Sequence, residues 1–322
     1  RALPANVRRA ASTLYAFCRL ADDAIDVDHG QGEAVTRLRA RLDAIYAGRP
    51  AGHAIDRALA DVVSDYDLPR LLLDALLEGL EWDASGRHYD TAEELMAYAA
   101  RVAGSVGAMM TVVMDRRSNG VVARACDLGV AMQLTNIARD VAEDARLQRI
   151  YLPRQWLREV GIDPARWLRQ PQMSAGILSV VERLLEAAEV LYERAASGVA
   201  ALPPGCRPAI HAARLMYSSI GHEVRRLGLD SMSVRAVVPK RRKAWLIACA
   251  LAAARTHATT GVVELPPLDA TRFLVDAVVQ SRPVDNARSA PHAASSLVGM
   301  IELFDRLQRR QVQSLSTSPV AR

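Results

Sequence analysis

The chain has 322 residues, of which 50% are hydrophobic, 5% are aromatic and 24% are charged, and its formal net charge is +5. This length allows one large domain, and the hydrophobic content is sufficient for a sizeable buried core. Scarce aromatic residues beside abundant alanine and leucine argue against a β-sandwich or barrel and favour an all-α fold. The positive charge is compatible with nucleic acid, anionic lipid or an anionic substrate such as a diphosphate.

The four cysteines are widely spaced and form neither a CxxC pair nor a Cys/His cluster: Cys18, Cys126, Cys206 and Cys249. This spacing argues against a disulfide framework or a zinc site and favours a reducing cytoplasm. No signal peptide is visible, and the longest uncharged run, Val102–Met114, is too short to span a bilayer. We therefore expect a cytoplasmic protein.

The first predicted helix, Ala5–Val27, contains the stretch YAFCRLADDAID. Asp22 and Asp26 are four residues apart, so both carboxylates project from one face of the helix. Arg19 lies three residues before the first of them. Asp23 lies about 100° further round the helix, so it could equally be a residue that contacts the metal ligands or a surface residue.

Amphipathic patterns predict further helices at Glu33–Tyr46 and His53–Tyr66, and another that begins at Pro69. A capping box, Thr91–Glu94, predicts the start of the next helix. The apolar stretch Met96–Met114 contains the small-residue run VAGSVGA. Glycine inside a helix is unfavourable, so this run indicates either close helix packing or room for an apolar ligand.

The stretch QLTNIARDVAED repeats the acidic layout of the first helix. Asp140 and Asp144 are four residues apart in a helical pattern, again on one face. Gln133, Asn136 and Arg139 add polar groups to an otherwise apolar helix, and buried polar groups need partners.

A single aspartate pair at this spacing is usually an exposed acidic pair that repels mildly. Two apolar helices that each carry such a pair and a nearby arginine are better explained as two walls of one polar cavity. Four carboxylates facing each other would suit Mg²⁺, with substrate phosphates completing its coordination. The sequence therefore predicts a magnesium site, with Asp23 as an additional candidate beside the four main ligands: Asp22, Asp26, Asp140 and Asp144.

Long helical patterns continue at Ser174–Val199, Pro208–Leu227 and Pro239–His257. Residues 259–293 hold four prolines with weak periodicity and are expected to form a less regular connection. A last helix is expected at Ala293–Gln311, and 312–322 are expected to be a disordered tail. The prediction is a single all-α domain over residues 1–311, with a central cavity between the two Asp-rich helices.

Four stretches in order resemble the squalene/phytoene synthase family: YAFCRLADDAID, RVAGSVGAMM, QLTNIARDVAED followed by RIYLP, and IGHEVRRLGLDSMSVRAVVPKRRK. The resemblance runs from Leu3 to Lys243 and is closest to the bacterial phytoene synthases. It implies an isoprenoid-synthase type of helical bundle and a Mg²⁺-dependent prenyltransferase, with Mn²⁺ as an alternative metal. It also implies carotenoid biosynthesis, in which two geranylgeranyl diphosphates join head to head to give phytoene through a cyclopropyl diphosphate intermediate.

The resemblance also implies roles for individual residues. The family positions that contact substrate diphosphate or line the site correspond here to Tyr15, Arg19, Gln133, Asn136, Arg139, Tyr217 and Arg235. Of these, Tyr217 is expected to act in catalysis together with the four aspartates, and the others are expected to bind substrate. An ordinary half-buried aromatic residue is the alternative interpretation of Tyr217.

Within the family, the alternative is a squalene-type or dehydrosqualene synthase that uses C15 diphosphates. No dinucleotide fingerprint is visible, so we expect no requirement for NADPH. Two features depart from the family pattern. The sequence begins after the Ser-Phe-containing segment that contacts diphosphate, and Gln148 stands where glycine usually precedes RIYLP.

Other classes of function fit less well. A di-iron bundle needs Glu-x-x-His pairs and a His-Asp phosphohydrolase needs that dipeptide, and the sequence has neither. The basic run Pro239–Lys243 lacks interleaved aromatic residues, so no nucleic-acid partner is expected. A non-catalytic scaffold is disfavoured because both acidic motifs are intact. Product insolubility and positive charge favour peripheral contact with the inner membrane face, where downstream carotenoid enzymes could be partners.

Overall fold

A computed structural model of the chain describes residues 3–27, 32–255 and 265–281. These residues contain fourteen α-helices and no β-strand, which confirms the predicted all-α fold. In chain order the helices are α1 Ala5–Val27, α2 Glu33–Tyr46, α3 Ala54–Tyr66, α4 Arg70–Ala84, α5 Ala92–Ala99, α6 Ser105–Val113, α7 Asn119–Arg139, α8 Val141–Arg146, α9 Arg154–Glu159, α10 Pro164–Arg169, α11 Ala175–Val199, α12 Arg207–Arg226, α13 Lys240–Ala253 and α14 Arg272–Gln280.

The predicted helix starts agree closely with the structure where the signal is a proline or a capping residue. Thr91 caps α5, because its hydroxyl accepts a hydrogen bond from the N–H of Glu94 at 3.3 Å. The Glu94 carboxylate accepts the N–H of Asp90 at 2.6 Å, one residue earlier than an ideal capping box requires.

Part of the expected less regular connection is helical. Within 265–281, a 3₁₀ turn leads into α14, whose buried side chains are Leu274, Val275 and Val278. Arg124 and Arg194 donate to the carbonyl oxygens of Leu265 (3.1 Å) and Pro266 (2.8 Å), which ties this segment to the bundle. Pro266 and Pro267 precede the helix and do not interrupt it. The expected helix at 293–311 and the 312–322 tail lie outside the described residues, so the domain boundaries stay a prediction.

Helix α7 is the centre of the bundle. Its buried residues lie on all sides of the helix and not on one stripe, as expected for a helix surrounded by others. Helices α6, α11, α12 and α14 pack around it. One hydrophobic core runs from Leu3 to Val278, so these helices share their apolar interior.

A π-helical turn, Ala100–Gly104, joins α5 to α6 where the small-residue run lies. An added Cβ at Gly129 would clash with the carbonyl oxygen of Ala103, and one at Gly107 would clash with that of Ala125. The small residues therefore let two backbones approach directly. Turns of this type are frequent at functional sites, and residues of this run also line the cavity described below.

By length and composition, the continuous helix Ala92–Val113 is apolar enough to cross a membrane, and it is the one helix in the described residues that is. More than half of its most apolar window is buried inside the bundle. Its packing against α7 accounts for that composition.

The close approach can be tested with Gly129→Ala and Gly107→Ala. Each adds a Cβ against a backbone carbonyl, so the free energy of unfolding should fall by about 1–3 kcal/mol in urea titrations. Gly104→Ala is the matched control, because its Cβ would meet neighbours no closer than 3.5 Å. That variant should be neutral or up to about 1 kcal/mol more stable. Equal stabilities of all three variants would contradict the packing argument.

Candidate active site

A cavity of about 370 Å³ lies along α7, within the size range of sites for small molecules. The residues of α7 that line it extend from Val121 to Arg139, a distance of about 27 Å on the helical rise. The first half of this lining is apolar apart from Arg124, which pairs with the buried Asp127 at 2.7 Å. The second half is polar. The site is thus a long apolar cavity with a charged end.

Nine of the predicted site residues line this cavity: Tyr15, Arg19, Asp22, Gln133, Asn136, Arg139, Asp140, Asp144 and Tyr217. They come from α1, α7, α8 and α12, so the two acidic stretches face one cavity. Asp23 does not line it, and its carboxylate is 56% exposed. Arg235 is 36% exposed and does not itself line the cavity, but it forms ion pairs with two residues that do, Asp140 and Glu143. The side chain of Asp26 lies outside the described part of the structure.

The second acidic stretch is not the continuous helix that the sequence predicted. Ser231 inserts into it: its hydroxyl donates to the carbonyl oxygen of Ala138 at 2.6 Å, and its own carbonyl accepts the N–H of Ala142 at 3.4 Å. In an unbroken helix the carbonyl oxygen of Ala138 would accept the N–H of Ala142 directly. Asp140 occupies the resulting junction with φ −103° and ψ 18°, while its carbonyl still accepts the N–H of Asp144 at 2.9 Å.

Two arginines hold the carboxylate of Asp140. Arg139 donates from Nε to Oδ1 at 2.7 Å, and Arg235 donates from Nε to Oδ1 at 2.9 Å and from Nη2 to Oδ2 at 3.3 Å. Burial alone would raise the pKa of Asp140, but the hydrogen bonds and positive charges of Arg139 and Arg235 outweigh it and lower the pKa. Asp140 is therefore ionised.

Asp144 experiences the opposite balance. Burial, followed by the negative charges of Asp140, Asp83 and Glu143, raises the pKa of Asp144 well above its ordinary value. All four carboxylates line the same cavity. A divalent cation would relieve this concentration of negative charge.

The donors present fit Mg²⁺. They are carboxylate oxygens, which this hard cation prefers. In the described ranges no three acidic, histidine or cysteine groups stand close enough together to form a complete cage. Mg²⁺ is commonly held by one or two carboxylates plus substrate phosphates, so an incomplete protein shell suits a metal that arrives with its substrate.

Arg19 connects the carboxylates of α1. Its Nη1 lies 3.0 Å from Oδ2 of Asp22, and its Nη2 lies 2.5 Å from Oδ1 of Asp23. The guanidinium is 20% exposed, so it lies partly within the charged end of the cavity. Asp23 therefore acts on the site through Arg19.

Sequence analysis missed Asp83, an acidic residue at the end of α4 that also lines the cavity. Tyr98 donates to its Oδ2 at 2.7 Å and Tyr151 donates to its Oδ1 at 2.8 Å. The two tyrosine rings stack with centroids 5.4 Å apart. Burial and then the charge of Asp83 raise the pKa of both hydroxyls well above the ordinary value, so both stay protonated.

The sequence contains only weak signals for this cluster of Asp83, Tyr98 and Tyr151. Tyr151 belongs to the RIYLP stretch, but neither its spacing nor the family resemblance indicates a role for the tyrosine. Asp83 lies outside both aspartate motifs, and its partners lie 15 and 68 residues away along the chain. No spacing rule connects residues on three separate elements.

Gln148, where the family pattern usually has glycine, has φ +56°. This is the left-handed region that glycine adopts readily and that costs other residues on the order of 1 kcal/mol. The loop therefore keeps the glycine conformation although the side chain has changed. The Gln148 amide lies 3.4 Å from the carbonyl oxygen of Ala145.

Comparison with known proteins decides the family. Residues 1–242 match the sequence profile described as squalene/phytoene synthase. The chain belongs to the squalene/phytoene synthase family. Membership makes it a prenyltransferase, which agrees with a cavity that combines a charged end and a long apolar wall.

Relatives within the family include the phytoene synthase of Cereibacter sphaeroides, 46% identical over 99% of this chain and 93% of that protein. The phytoene synthase of Rhodobacter capsulatus is 53% identical over 77% of this chain and 74% of that protein. A solved dehydrosqualene synthase in complex with a ligand is 31% identical, with TM-score 0.70 over 78% of this chain and 88% of that one.

Ser231→Ala tests the interruption at Asp140. Removing the hydroxyl leaves the buried carbonyl of Ala138 without this donor, so the free energy of unfolding should fall by about 1–3 kcal/mol. Ser233→Ala, which alters an exposed serine two residues later, should change it by less than about 0.5 kcal/mol. Urea denaturation of both variants measures the difference, and a Ser231 variant as stable as the wild type would mean that the insertion contributes little.

Proposed function

We propose that this chain is a Mg²⁺-dependent phytoene synthase of carotenoid biosynthesis. It joins two geranylgeranyl diphosphates head to head and yields phytoene through a cyclopropyl diphosphate intermediate. The observation that carries the proposal is the long apolar cavity with carboxylates and arginines at one end, in a chain that resembles phytoene synthases over nearly its whole length. Such a cavity suits a polyprenyl chain with a diphosphate head.

Diphosphate binding rests on Arg19, Arg139 and Arg235. Guanidinium groups bind phosphate oxygens through paired hydrogen bonds. Each of these arginines contacts Asp22 or Asp140. A diphosphate that accepts hydrogen bonds from the arginines would therefore lie beside these carboxylates. The remaining polar lining proposed to bind substrate consists of Tyr15, Gln133 and Asn136.

Asp22, Asp26, Asp140 and Asp144 would hold Mg²⁺, and Mn²⁺ could replace it. When bound, the metal would neutralise the negative charge that develops on the leaving diphosphate. The raised pKa of Asp144 supports this assignment, because a group crowded by other carboxylates needs a cation to remain ionised. Asp23, exposed and paired with Arg19, is proposed to orient that arginine and not to bind metal.

The chain itself protects the cation that forms when the diphosphate leaves. The apolar lining excludes water, which would otherwise capture the cation. Tyr98 and Tyr151 keep their protons and donate them to Asp83, so neither of these two cavity residues is a phenolate nucleophile. Tyr217 lines the cavity close to Arg139 and is proposed to act in catalysis.

A squalene-type or dehydrosqualene synthase that joins two C15 diphosphates is the second candidate. The likeness to a solved dehydrosqualene synthase at 31% identity favours it specifically. The nearly full-length match to a phytoene synthase at 46% identity favours the C20 substrate.

A product assay distinguishes the two candidates. The purified protein receives Mg²⁺ with C20 or C15 allylic diphosphate, each with and without NADPH, and mass spectrometry identifies the extracted hydrocarbon. We expect a C40 hydrocarbon with a conjugated triene from the C20 substrate, independent of NADPH. A C30 product alone would assign the protein to the squalene-type branch, and no product from either substrate would favour a non-catalytic scaffold.

Neighbouring aspartates on α1 provide a matched test of the metal site. Asp22→Asn should lower turnover by at least about 100-fold, because it removes a proposed metal ligand. Asp23→Asn should keep turnover within about tenfold of wild type, since that carboxylate is outside the cavity. Calorimetric titration of Mg²⁺ in the presence of inorganic diphosphate provides a readout besides activity, and only the Asp22 variant should bind more weakly. Near-wild-type turnover and binding in Asp22→Asn would remove it from the site.

The proposed location is the cytoplasm, with peripheral contact at the inner membrane face. A C40 hydrocarbon is insoluble in water and must pass into a bilayer or to a downstream carotenoid enzyme. Membrane contact would shorten that transfer.

A further inference from the structure

Helix α13 and the loop before it present an unusual concentration of exposed apolar side chains. The described residues contain eight large hydrophobic side chains that are exposed, and four of these lie between 234 and 251: Val234 (52%), Val237 (65%), Trp245 (61%) and Leu251 (39%). Exposed large apolar side chains grouped within one loop and one helix indicate an interaction site.

The outward face of α13 is apolar along its length. Exposed residues recur at helical spacing from Arg241 to Arg255. The exposed residues between these two arginines that form the apolar face are Ala244, Trp245, Ala248, Leu251 and Ala252. The opposite face supplies only two buried residues, Leu246 and Ala250. Both faces of the helix are therefore apolar, although only one is covered by the bundle.

Positive charge borders this face. The stretch 231–255 contains six basic residues and no acidic residue, whereas the whole chain has a net charge of only +5. Lys240, Arg241 and Arg242 are exposed in the first turn of α13. An apolar helix face with tryptophan and a border of lysine and arginine is typical of helices that lie in the interface of an anionic bilayer.

The attachment of α13 to the bundle leaves that face accessible. The helix packs on α12 through a small cluster of its own, Met216, Val238 and Leu246, separate from the main core. Docking therefore requires no opening of the core.

Other occupants have the wrong charge. A second copy of this surface would bring two sets of six basic residues together, because a two-fold contact pairs a surface with itself. Residues 282–322 contain six basic and three acidic residues, so they are also net positive. An anionic lipid surface supplies both the apolar layer and the opposite charge.

The surface adjoins the charged end of the cavity. Val234 and Val237 flank Arg235, which binds Asp140, and Ser231 lies in the same loop and is inserted beside Asp140. A prenyl diphosphate is itself an amphiphile with an anionic head. Docking here would bring the edge of the site to the bilayer, where such a substrate and its hydrocarbon product both reside.

We propose that the loop Ser233–Pro239 and helix α13 form a docking surface for anionic bilayers, hereafter the α13 surface. This inference rests on one part of the proposed function, the peripheral membrane contact, and names the surface that makes it. Trp245 and Leu251 enter the interface, and Lys240, Arg241 and Arg242 contact the lipid head groups.

Vesicle sedimentation tests the proposal. The full chain is mixed with vesicles of equal parts phosphatidylglycerol and phosphatidylcholine, or of phosphatidylcholine alone, without substrate. We expect binding to the anionic vesicles that is at least about tenfold stronger than to neutral ones and that weakens with added salt. Wild-type protein that stays in the supernatant with both vesicle types overturns the proposal.

Paired variants locate the surface. Trp245→Ser with Leu251→Ser, and separately Arg241→Gln with Arg242→Gln, should each weaken binding to anionic vesicles by about tenfold or more. Matched controls are Val190→Ser, an exposed valine on α11, and Arg166→Gln with Arg169→Gln, exposed arginines on α10. Both controls should bind like the wild type. Binding that falls equally in controls and test variants, or in none of them, overturns the assignment of this surface.

Fluorescence gives a reading that does not depend on the polar substitutions. Anionic vesicles should shift the wild-type tryptophan emission to the blue, because Trp245 leaves water. Trp245→Phe keeps an aromatic side chain, so it should still sediment with the vesicles but lose the shift. A shift that persists in Trp245→Phe would place the lipid contact elsewhere. The binding assays contain no substrate, so a negative result in the product assay and a negative result here remain separable.

Discussion

Charge balance in a poorly solvated cavity is the constraint on which the rest of the site depends. Asp140 stays ionised because Arg139 and Arg235 donate to it, whereas burial and neighbouring carboxylates raise the pKa of Asp144 despite the positive charge of Arg149. Arginines that bind carboxylates are also the groups best suited to a diphosphate. A diphosphate that takes these donors would leave the carboxylates in need of positive charge, and metal ions would supply it. The charge distribution would therefore couple uptake of a diphosphate to uptake of metal ions.

The loop after α12 links this charge balance to the periphery of the molecule. Ser231 interrupts the acidic stretch, and Arg235 holds Asp140. Val234 and Val237 of the same loop point to solvent. Because one short loop carries all three features, the proposed contact with a lipid surface would be connected to the charged end of the cavity through a few residues. An enzyme with an amphiphilic substrate and an apolar product benefits from such a connection.

The apolar part of the cavity depends on how closely helices approach one another. Gly107 and Gly129 bring backbone against backbone, and the π-helical turn Ala100–Gly104 lies at that contact. The same stretch contributes Val102, Ala103 and Val106 to the cavity wall. From the sequence, the small-residue run indicated either close helix packing or room for an apolar ligand. In the structure the same run packs closely against α7 and also lines the cavity.

The sequence alone determined the helical class, most helix positions and the two acidic motifs. These features are local: apolar periodicity, capping residues and a four-residue spacing between carboxylates act within a single helix. Asp22, Asp140 and Asp144 line one cavity, an arrangement expected for two acidic motifs in stretches whose remaining residues are mostly apolar.

Tertiary structure decided the features that depend on contacts between distant parts of the chain. The break at Asp140 comes from Ser231, more than 90 residues later, and no local signal predicts it. Asp83 joins the site because two tyrosines from other elements donate to it. Asp23 has the same chemistry as Asp22 but points away from the cavity, a distinction set by which face of α1 the bundle covers. Periodicity specifies what a helix can bury, and only packing specifies which groups meet.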